Sequence, residues 1–99
     1  MAKERLPKVL VVEDEPGVRE ALSVLFKRNG FEVEGSESGD AAIGWLSEHG
    51  PVDLVITDLR LPGADGIGVL KAARAQDPLA KVIVVTAQGD EEFAMKACN

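Results

Sequence analysis

The sequence predicts a single α/β domain built on a parallel β-sheet with helices on both faces. Short runs rich in Val, Ile and Leu occur at 8–12, 52–58 and 81–86. Runs of this length and composition are typical of strands that are covered on both faces. At 31–34 apolar and charged residues alternate, which predicts a further strand, at the edge of the sheet with one face in water. Between the strands lie segments in which apolar residues recur every three or four positions, as in helices packed on one side. We therefore expect strand and helix to alternate four times, through right-handed crossovers.

Turn and capping residues give the helix boundaries. Pro16 suits the first turn of a helix that ends near Gly30, and Ser38 and Asp65 suit the starts of the next two helices. A last helical pattern covers 90–98. The apolar positions expected to face the core are Val18, Ala21, Leu22, Leu25 and Phe26, then Ala42, Ile43 and Leu46, then Ile67, Leu70 and Ala73.

Composition limits the possible functions. The 99 residues suffice for one small domain, and 45% apolar with 28% charged residues is ordinary for a globular protein. A formal charge of -6 argues against a nucleic-acid surface. The lone cysteine, Cys98, suits a reducing compartment, and the chain lacks both a membrane-spanning run and a signal peptide. We expect a cytoplasmic protein that does not contact membranes.

Acidic residues follow two of the expected strands. Asp58 ends the run at 52–58, and Glu13, Asp14 and Glu15 follow the run at 8–12. Because parallel strands present their carboxyl ends at one edge, which is where ligands bind, we expect these carboxylates to be close together. Such a cluster is costly unless a cation neutralises it, and an oxygen-only ligand set favours magnesium or calcium over zinc. The alternatives are that Asp58 only begins a turn and that Glu13 and Asp14 only favour a helix N-terminus.

Three motifs resemble one family. They are VLVVEDE at 9–15, DLVITDLRLPGADG at 53–66 and VIVVTA at 82–87. In this order, they resemble the receiver (response regulatory) domain of bacterial two-component response regulators. The resemblance covers the chain from Lys8 onward, so we assign 1–7 to a polar leader and 8–99 to the domain. The run 86–90 is similar to receivers of the NtrC class.

The resemblance implies a flavodoxin-like three-layer fold, a ligand set and a cofactor. Asp58 would accept a phosphoryl group from a histidine kinase. Mg²⁺ would be bound by Glu13, Asp14, Asp58 and the backbone carbonyl of Arg60. Thr86 would hydrogen-bond the phosphoryl group and switch the following loop.

The resemblance also implies that Ala87 offers its backbone N–H to the phosphoryl group. The chain would be an acceptor with at most slow autodephosphorylation, not a multiple-turnover enzyme. Its partners would be the kinase and an output domain, which we expect to regulate transcription.

The sequence departs from the family pattern at its C-terminal end. The family sheet has five strands in the order 2-1-3-4-5, whereas this sequence supplies four strands, for which the resemblance implies the order 2-1-3-4. The fifth strand, its terminal lysine and the last helix have no counterpart, and neither Lys81 nor Lys96 occupies the position of that lysine. We therefore expect either further residues beyond Asn99 or a partner or swapped copy that covers the fourth strand.

Three other functions are compatible with parts of the pattern. A receiver could work through protein contacts without phosphorylation. A haloacid dehalogenase-type phosphatase also uses an aspartate and Mg²⁺, but it needs a second acid where this chain has Arg60. A flavin module would need a loop rich in Ser, Thr and Gly after the first strand, where this chain has acids.

Overall fold

A computed structural model of the chain describes residues 6–58 and 65–85. Within them, strands and helices alternate as the sequence predicts. The strands are β1 (Lys8–Val12), β2 (Glu32–Ser36), β3 (Leu54–Asp58) and β4 (Lys81–Val85). The helices are α1 (Pro16–Arg28), α2 (Gly39–His49) and α3 (Gly66–Gln76). The helix expected over 90–98 lies outside the described residues.

The four described strands form one parallel sheet in the order β2-β1-β3-β4. This order confirms the predicted flavodoxin-like topology. In the register, Val12 pairs with Thr57 across β1 and β3, and Asp58 pairs with Val85 across β3 and β4. Among these strands, β2 and β4 lie at the two edges of the sheet. Glu13 and Asp14 follow β1 and Asp58 ends β3, so these acidic residues lie at the carboxyl ends of the two central strands.

Helices cover both faces of the sheet. Leu10 and Val12 of β1 belong to a core shared with α2 and α3, whereas Val9 and Val11 point to the face of α1. This division follows from the alternation of side chains along a strand. The buried residues of the α2 and α3 layer are Leu10, Val12, Ala42, Leu46, Val52, Val55, Val69, Ala73, Ala80 and Val82. The three-layer arrangement is therefore as predicted.

The helix α1 is much more exposed than its apolar spacing predicts. Leu22 and Phe26 pack against the sheet, but Val18 and Leu25 are 46% and 53% exposed. Ile83 of β4 is 48% exposed, and its register partner Ile56 lies on the α1 face. Because α1 is the one described helix on that face, part of its apolar stripe has no neighbour among the described residues.

The predicted caps are present. The Ser38 hydroxyl accepts a 3.1 Å hydrogen bond from the N–H of Ala41, and the Asp65 carboxylate accepts one of 3.1 Å from Gly68. At the end of α2, Gly50 has a φ of 86°, a conformation that favours glycine. The helices thus begin and end where local sequence predicts.

Two side-chain hydrogen bonds link different elements. The Asp53 carboxylate accepts a 2.8 Å hydrogen bond from the N–H of Lys8, which links the amino ends of β3 and β1. Arg74 of α3 is partly buried, and its Nε donates a 2.8 Å hydrogen bond to the carbonyl of Ala80, directly before β4. This bond attaches the turn before β4 to α3.

Candidate divalent-metal and phosphoacceptor site

The site lies where the two central strands end. Val12 of β1 and Thr57 of β3 are paired, so the next residues, Glu13 and Asp58, are neighbours at the carboxyl edge of the sheet. Thr57 is fully buried, and its hydroxyl donates a 3.0 Å hydrogen bond to the carbonyl of Asp58. This bond satisfies a buried polar group directly beside the acidic residue.

The structure brings together three of the four acids expected at this edge of the sheet, and Glu15 is not part of the group. Glu13, Asp14 and Asp58 each offer one carboxylate oxygen, and these oxygens all lie within 4.8 Å of one another. Glu13 and Asp58 are partly buried and Asp14 is exposed. The cluster is therefore open to solvent and to an incoming reactant on one side.

The proximity of these acids affects the ionisation of Glu13. Burial raises the pKa of Glu13 above its ordinary value of 4.5, and the negative charges of Asp58 and Asp14 and the hydrogen bond with Asp14 raise it further. The hydrogen bond from the N–H of Glu15, which is 3.2 Å long, lowers the pKa and opposes these effects. The net increase in pKa means that the site resists carrying its full negative charge.

The backbone of Glu13 is fixed by two other elements. Its N–H donates a 2.9 Å hydrogen bond to the carbonyl of Ser36, at the end of β2. Its carbonyl accepts a 2.8 Å hydrogen bond from Nη1 of Arg19 in α1. The loop between β1 and α1 is thus held between a neighbouring strand and the helix that follows it.

The residues present fit a hard divalent cation. The cluster consists of carboxylate oxygens, the donors that Mg²⁺ and Ca²⁺ prefer. Ligand oxygens on one octahedral Mg²⁺ are about 3.0 Å apart when adjacent and about 4.2 Å apart when opposite, given Mg–O distances of about 2.1 Å. Side-chain rotations would bring oxygens that lie within 4.8 Å of one another to these spacings.

Several residues named from the family resemblance lie outside the described part of the chain. They are Arg60, Thr86 and Ala87. Their roles remain predictions.

Arg19 is the residue of this site that the sequence analysis missed. It is partly buried, and its contact is to a backbone carbonyl. No sequence motif marks such a contact. The available signal was a long cationic side chain one turn into the helix that follows the acidic run.

A parallel sheet with carboxylates grouped at the carboxyl ends of its central strands is the arrangement expected of an α/β domain of the receiver type. The response regulator receiver domain family matches residues 9–99, and the chain belongs to this family. The family assignment made from the three motifs is therefore confirmed.

Relatives are found in proteins of different lengths. A cyclic di-GMP phosphodiesterase of Thermotoga maritima is 42% identical over 88 residues, which are 89% of this chain and 23% of that protein. The regulatory protein AtoC of Escherichia coli is 37% identical over 91% of this chain and 19% of its own length. Sporulation initiation phosphotransferase F of Bacillus subtilis is 35% identical over 91% of this chain and 72% of its own length. The chain thus spans less than a quarter of the first two relatives.

Solved structures show the same fold. A response regulator receiver domain protein from Clostridium thermocellum superimposes with a TM-score of 0.84 at 30% identity, covering 93% of this chain and 74% of that chain. The response regulator TrrA from Thermotoga maritima, solved in complex with Mg²⁺ and BeF, gives a TM-score of 0.81 at 31% identity. It covers 95% of this chain and 83% of that chain.

Across 6–58 and 65–85, none of the helices has both the length and the apolar character required to cross a bilayer.

Proposed function

We propose that this chain is the phosphoacceptor domain of a two-component signalling protein, with Asp58 as the residue that is phosphorylated. The observation that carries this proposal is the grouping of Glu13, Asp14 and Asp58 within 4.8 Å at the end of β3 and β1. A carboxylate at a strand end, partly exposed and close to further acids, suits nucleophilic attack on a phosphoryl group that is delivered with a divalent cation.

The proposed reaction transfers one phosphoryl group from a phosphohistidine of a kinase. A carboxylate oxygen of Asp58 attacks phosphorus, a P–O bond forms, the P–N bond breaks, and the departing imidazole takes up a proton. When bound, Mg²⁺ neutralises negative charge at the reacting centre. Glu13, Asp14, Asp58 and the backbone carbonyl of Arg60 are the ligands that we propose for it.

Two further residues complete the proposal. Thr86 would donate a hydrogen bond from its hydroxyl group to one phosphoryl oxygen. Ala87 would donate a hydrogen bond from its backbone N–H to another. Thr86 follows β4, whose last residue pairs with Asp58 in the sheet register. A hydrogen bond that forms only with the phosphorylated Asp58 would then shift the conformational equilibrium of the segment after β4.

A solved relative supports the chemistry. TrrA, at 31% identity, binds Mg²⁺ together with BeF. Beryllofluoride is tetrahedral and stands in for a phosphoryl group on a carboxylate. The carboxylate cluster described above offers this chain the oxygen donors that Mg²⁺ prefers.

We propose a histidine kinase as the upstream partner and an output domain as the downstream partner. We further propose that the output regulates transcription, in the NtrC class, and that the chain, as residues 8–99, acts in the cytoplasm. The relative AtoC is a regulatory protein, which favours a regulatory output, whereas the phosphodiesterase relative is named for a different activity. The receiver itself would be an acceptor, with at most slow loss of its own phosphoryl group.

The test is phosphorylation with acetyl phosphate and Mg²⁺, followed by intact-protein mass spectrometry. We expect the wild type to gain the mass of one phosphoryl group and Asp58→Asn to gain none. Asp77→Asn is the matched control, because Asp77 caps the far end of α3 and an amide oxygen can still accept the hydrogen bond from Leu79. This control should be phosphorylated like the wild type.

Other outcomes would contradict the proposal in different ways. Equal phosphorylation of wild type and Asp58→Asn would exclude Asp58 as the acceptor. No phosphorylation of any variant, combined with kinase binding, would favour a receiver that works by protein contact alone. Continuous release of phosphate from small phosphate esters would favour the phosphatase.

A further inference from the structure

The side chain of Arg19 reaches from α1 back to the acidic loop. Its Nη1 donates a 2.8 Å hydrogen bond to the carbonyl of Glu13, the residue immediately after β1. Arg19 is partly buried, although it lies on a helix with no buried residue. Fixing a long arginine side chain against a main-chain carbonyl costs conformational entropy, which the hydrogen bond and packing of Arg19 must offset.

The opposite side of the same residue is also fixed. The N–H of Glu13 donates a 2.9 Å hydrogen bond to the carbonyl of Ser36, which is 7% exposed. Both polar groups of the Glu13 backbone therefore have partners on separate elements, β2 and α1. Since the backbone sets the direction in which a side chain leaves the chain, these two bonds restrict where the Glu13 carboxylate can point.

The stem of Arg19 lies over Gly35 of β2. A Cβ atom on Gly35 would be 3.4 Å from Cδ and 3.5 Å from Cγ of Arg19. The methylene groups thus rest against bare backbone while the guanidinium continues to the loop. Packing and hydrogen bonding together restrict Arg19 to one arrangement.

The chemistry of the contact leaves the metal ligands available. The Arg19 bond goes to the Glu13 carbonyl and not to its carboxylate. The guanidinium also adds a positive charge beside a loop that carries Glu13, Asp14 and Glu15. Both effects favour a preorganised acidic cluster.

We propose that Arg19 is a positioning residue for the divalent cation, acting through the backbone of Glu13. The inference rests on the proposed function, because it assumes that Glu13 and Asp14 are ligands. Loss of the Arg19 bond leaves the Glu13 carbonyl without its protein donor and removes one of the two hydrogen bonds that hold the Glu13 backbone. Loss of residues that orient metal ligands typically weakens metal binding by about 10 to 100-fold.

The experiment compares Mg²⁺ affinity by isothermal titration calorimetry in the full chain. Arg19→Met keeps the length of the stem and removes the donor and the charge, and we expect Kd for Mg²⁺ to rise by about 10-fold or more. Arg19→Lys restores the charge and one donor group, and should give an intermediate affinity. Lys27→Met is the matched control, since it removes an exposed cation from the same helix about 12 Å farther along its axis.

A merely structural role predicts a different pattern. It would lower the free energy of unfolding of metal-free Arg19→Met and leave its Mg²⁺ affinity unchanged. An affinity of Arg19→Met equal to that of Lys27→Met would therefore overturn the inference. If Arg19→Met does not fold, an affinity of Arg19→Lys equal to that of the wild type would overturn the inference and a weaker one would support it.

The failure of the proposed function has its own signature. If wild type binds no Mg²⁺, both the proposed function and this inference fail. If wild type binds Mg²⁺ and is phosphorylated on Asp58, but Arg19→Met binds Mg²⁺ equally well, only the positioning role fails.

Discussion

The carboxylates of Glu13 and Asp58 lie within 4.8 Å of each other at the carboxyl edge of the central strands. Burial is the largest cause of the raised pKa of Glu13, and the negative charge of Asp58 also contributes to it. Folding therefore brings together negative charges that are well separated in the unfolded chain. The fold carries an electrostatic cost at its site that a bound cation would offset.

The pH dependence of metal-free stability should show this cost. Because the pKa of Glu13 is higher in the folded state than its ordinary value of 4.5, the folded protein binds a proton more tightly than the unfolded chain does. The stability contributed by this proton is present below 4.5 and is lost as the pH rises through the raised pKa. Urea unfolding in the presence of a chelator, across this range, measures the effect.

Glu13→Gln is the variant that isolates the Glu13 contribution. It should be more stable than wild type at neutral pH, and the difference should shrink as the pH falls toward 4.5. Glu48→Gln, which removes an exposed acid near the end of α2, is the control for the chemical change from carboxylate to amide. A Glu13→Gln difference that is independent of pH would contradict the assignment.

Addition of Mg²⁺ should stabilise the wild type. A ligand that binds only the folded state stabilises it by about 2.7 kcal/mol at a free concentration about 100 times Kd. Asp14→Asn and Asp58→Asn each remove a proposed ligand and should reduce the effect. Thermal unfolding with MgCl₂, compared with KCl at equal ionic strength, separates binding from screening. Equal stabilisation of all variants would indicate that Mg²⁺ binds elsewhere.

Asp53 should stabilise the sheet without contributing to metal binding. Its carboxylate accepts the hydrogen bond from the N–H of Lys8 at the amino end of β1. Asp53→Ala should lower the free energy of unfolding by about 1 kcal/mol, as expected for an exposed hydrogen bond. Its Mg²⁺ affinity in calorimetry should equal that of wild type. A large loss of Mg²⁺ affinity would show that the amino ends of the strands are coupled to the site at their carboxyl ends.

Leu46 and Leu25 should respond differently to truncation, although both lie at core-facing positions of a helical pattern. Leu46 is 1% exposed, so Leu46→Ala should cost about 2–5 kcal/mol. Leu25 is 53% exposed, and Leu25→Ala should cost about 0.5 kcal/mol or less. Urea denaturation measures both. A cost for Leu25→Ala close to that for Leu46→Ala would show that other chain segments or a second copy cover the α1 face.

Local sequence was sufficient to predict most of the secondary structure. The run 8–12 became β1 without change, Pro16 begins α1, and Asp65 caps α3. These features depend on hydrophobic spacing and on side chains that bond within their own turn. The alternation of strands and helices was sufficient to predict a parallel sheet, whereas the strand order was predicted from the family resemblance.

The acidic cluster was also predictable, because adjacent parallel strands deliver their carboxyl ends to one edge whatever the details of packing. The sequence by itself therefore determined the α/β fold and the meeting of Glu13, Asp14 and Asp58. Only the tertiary structure decided which part of the α1 stripe packs against the sheet, and that Arg19 bonds to the Glu13 carbonyl. Such contacts depend on the positions of neighbouring elements, and hydrophobic periodicity carries no information about those positions.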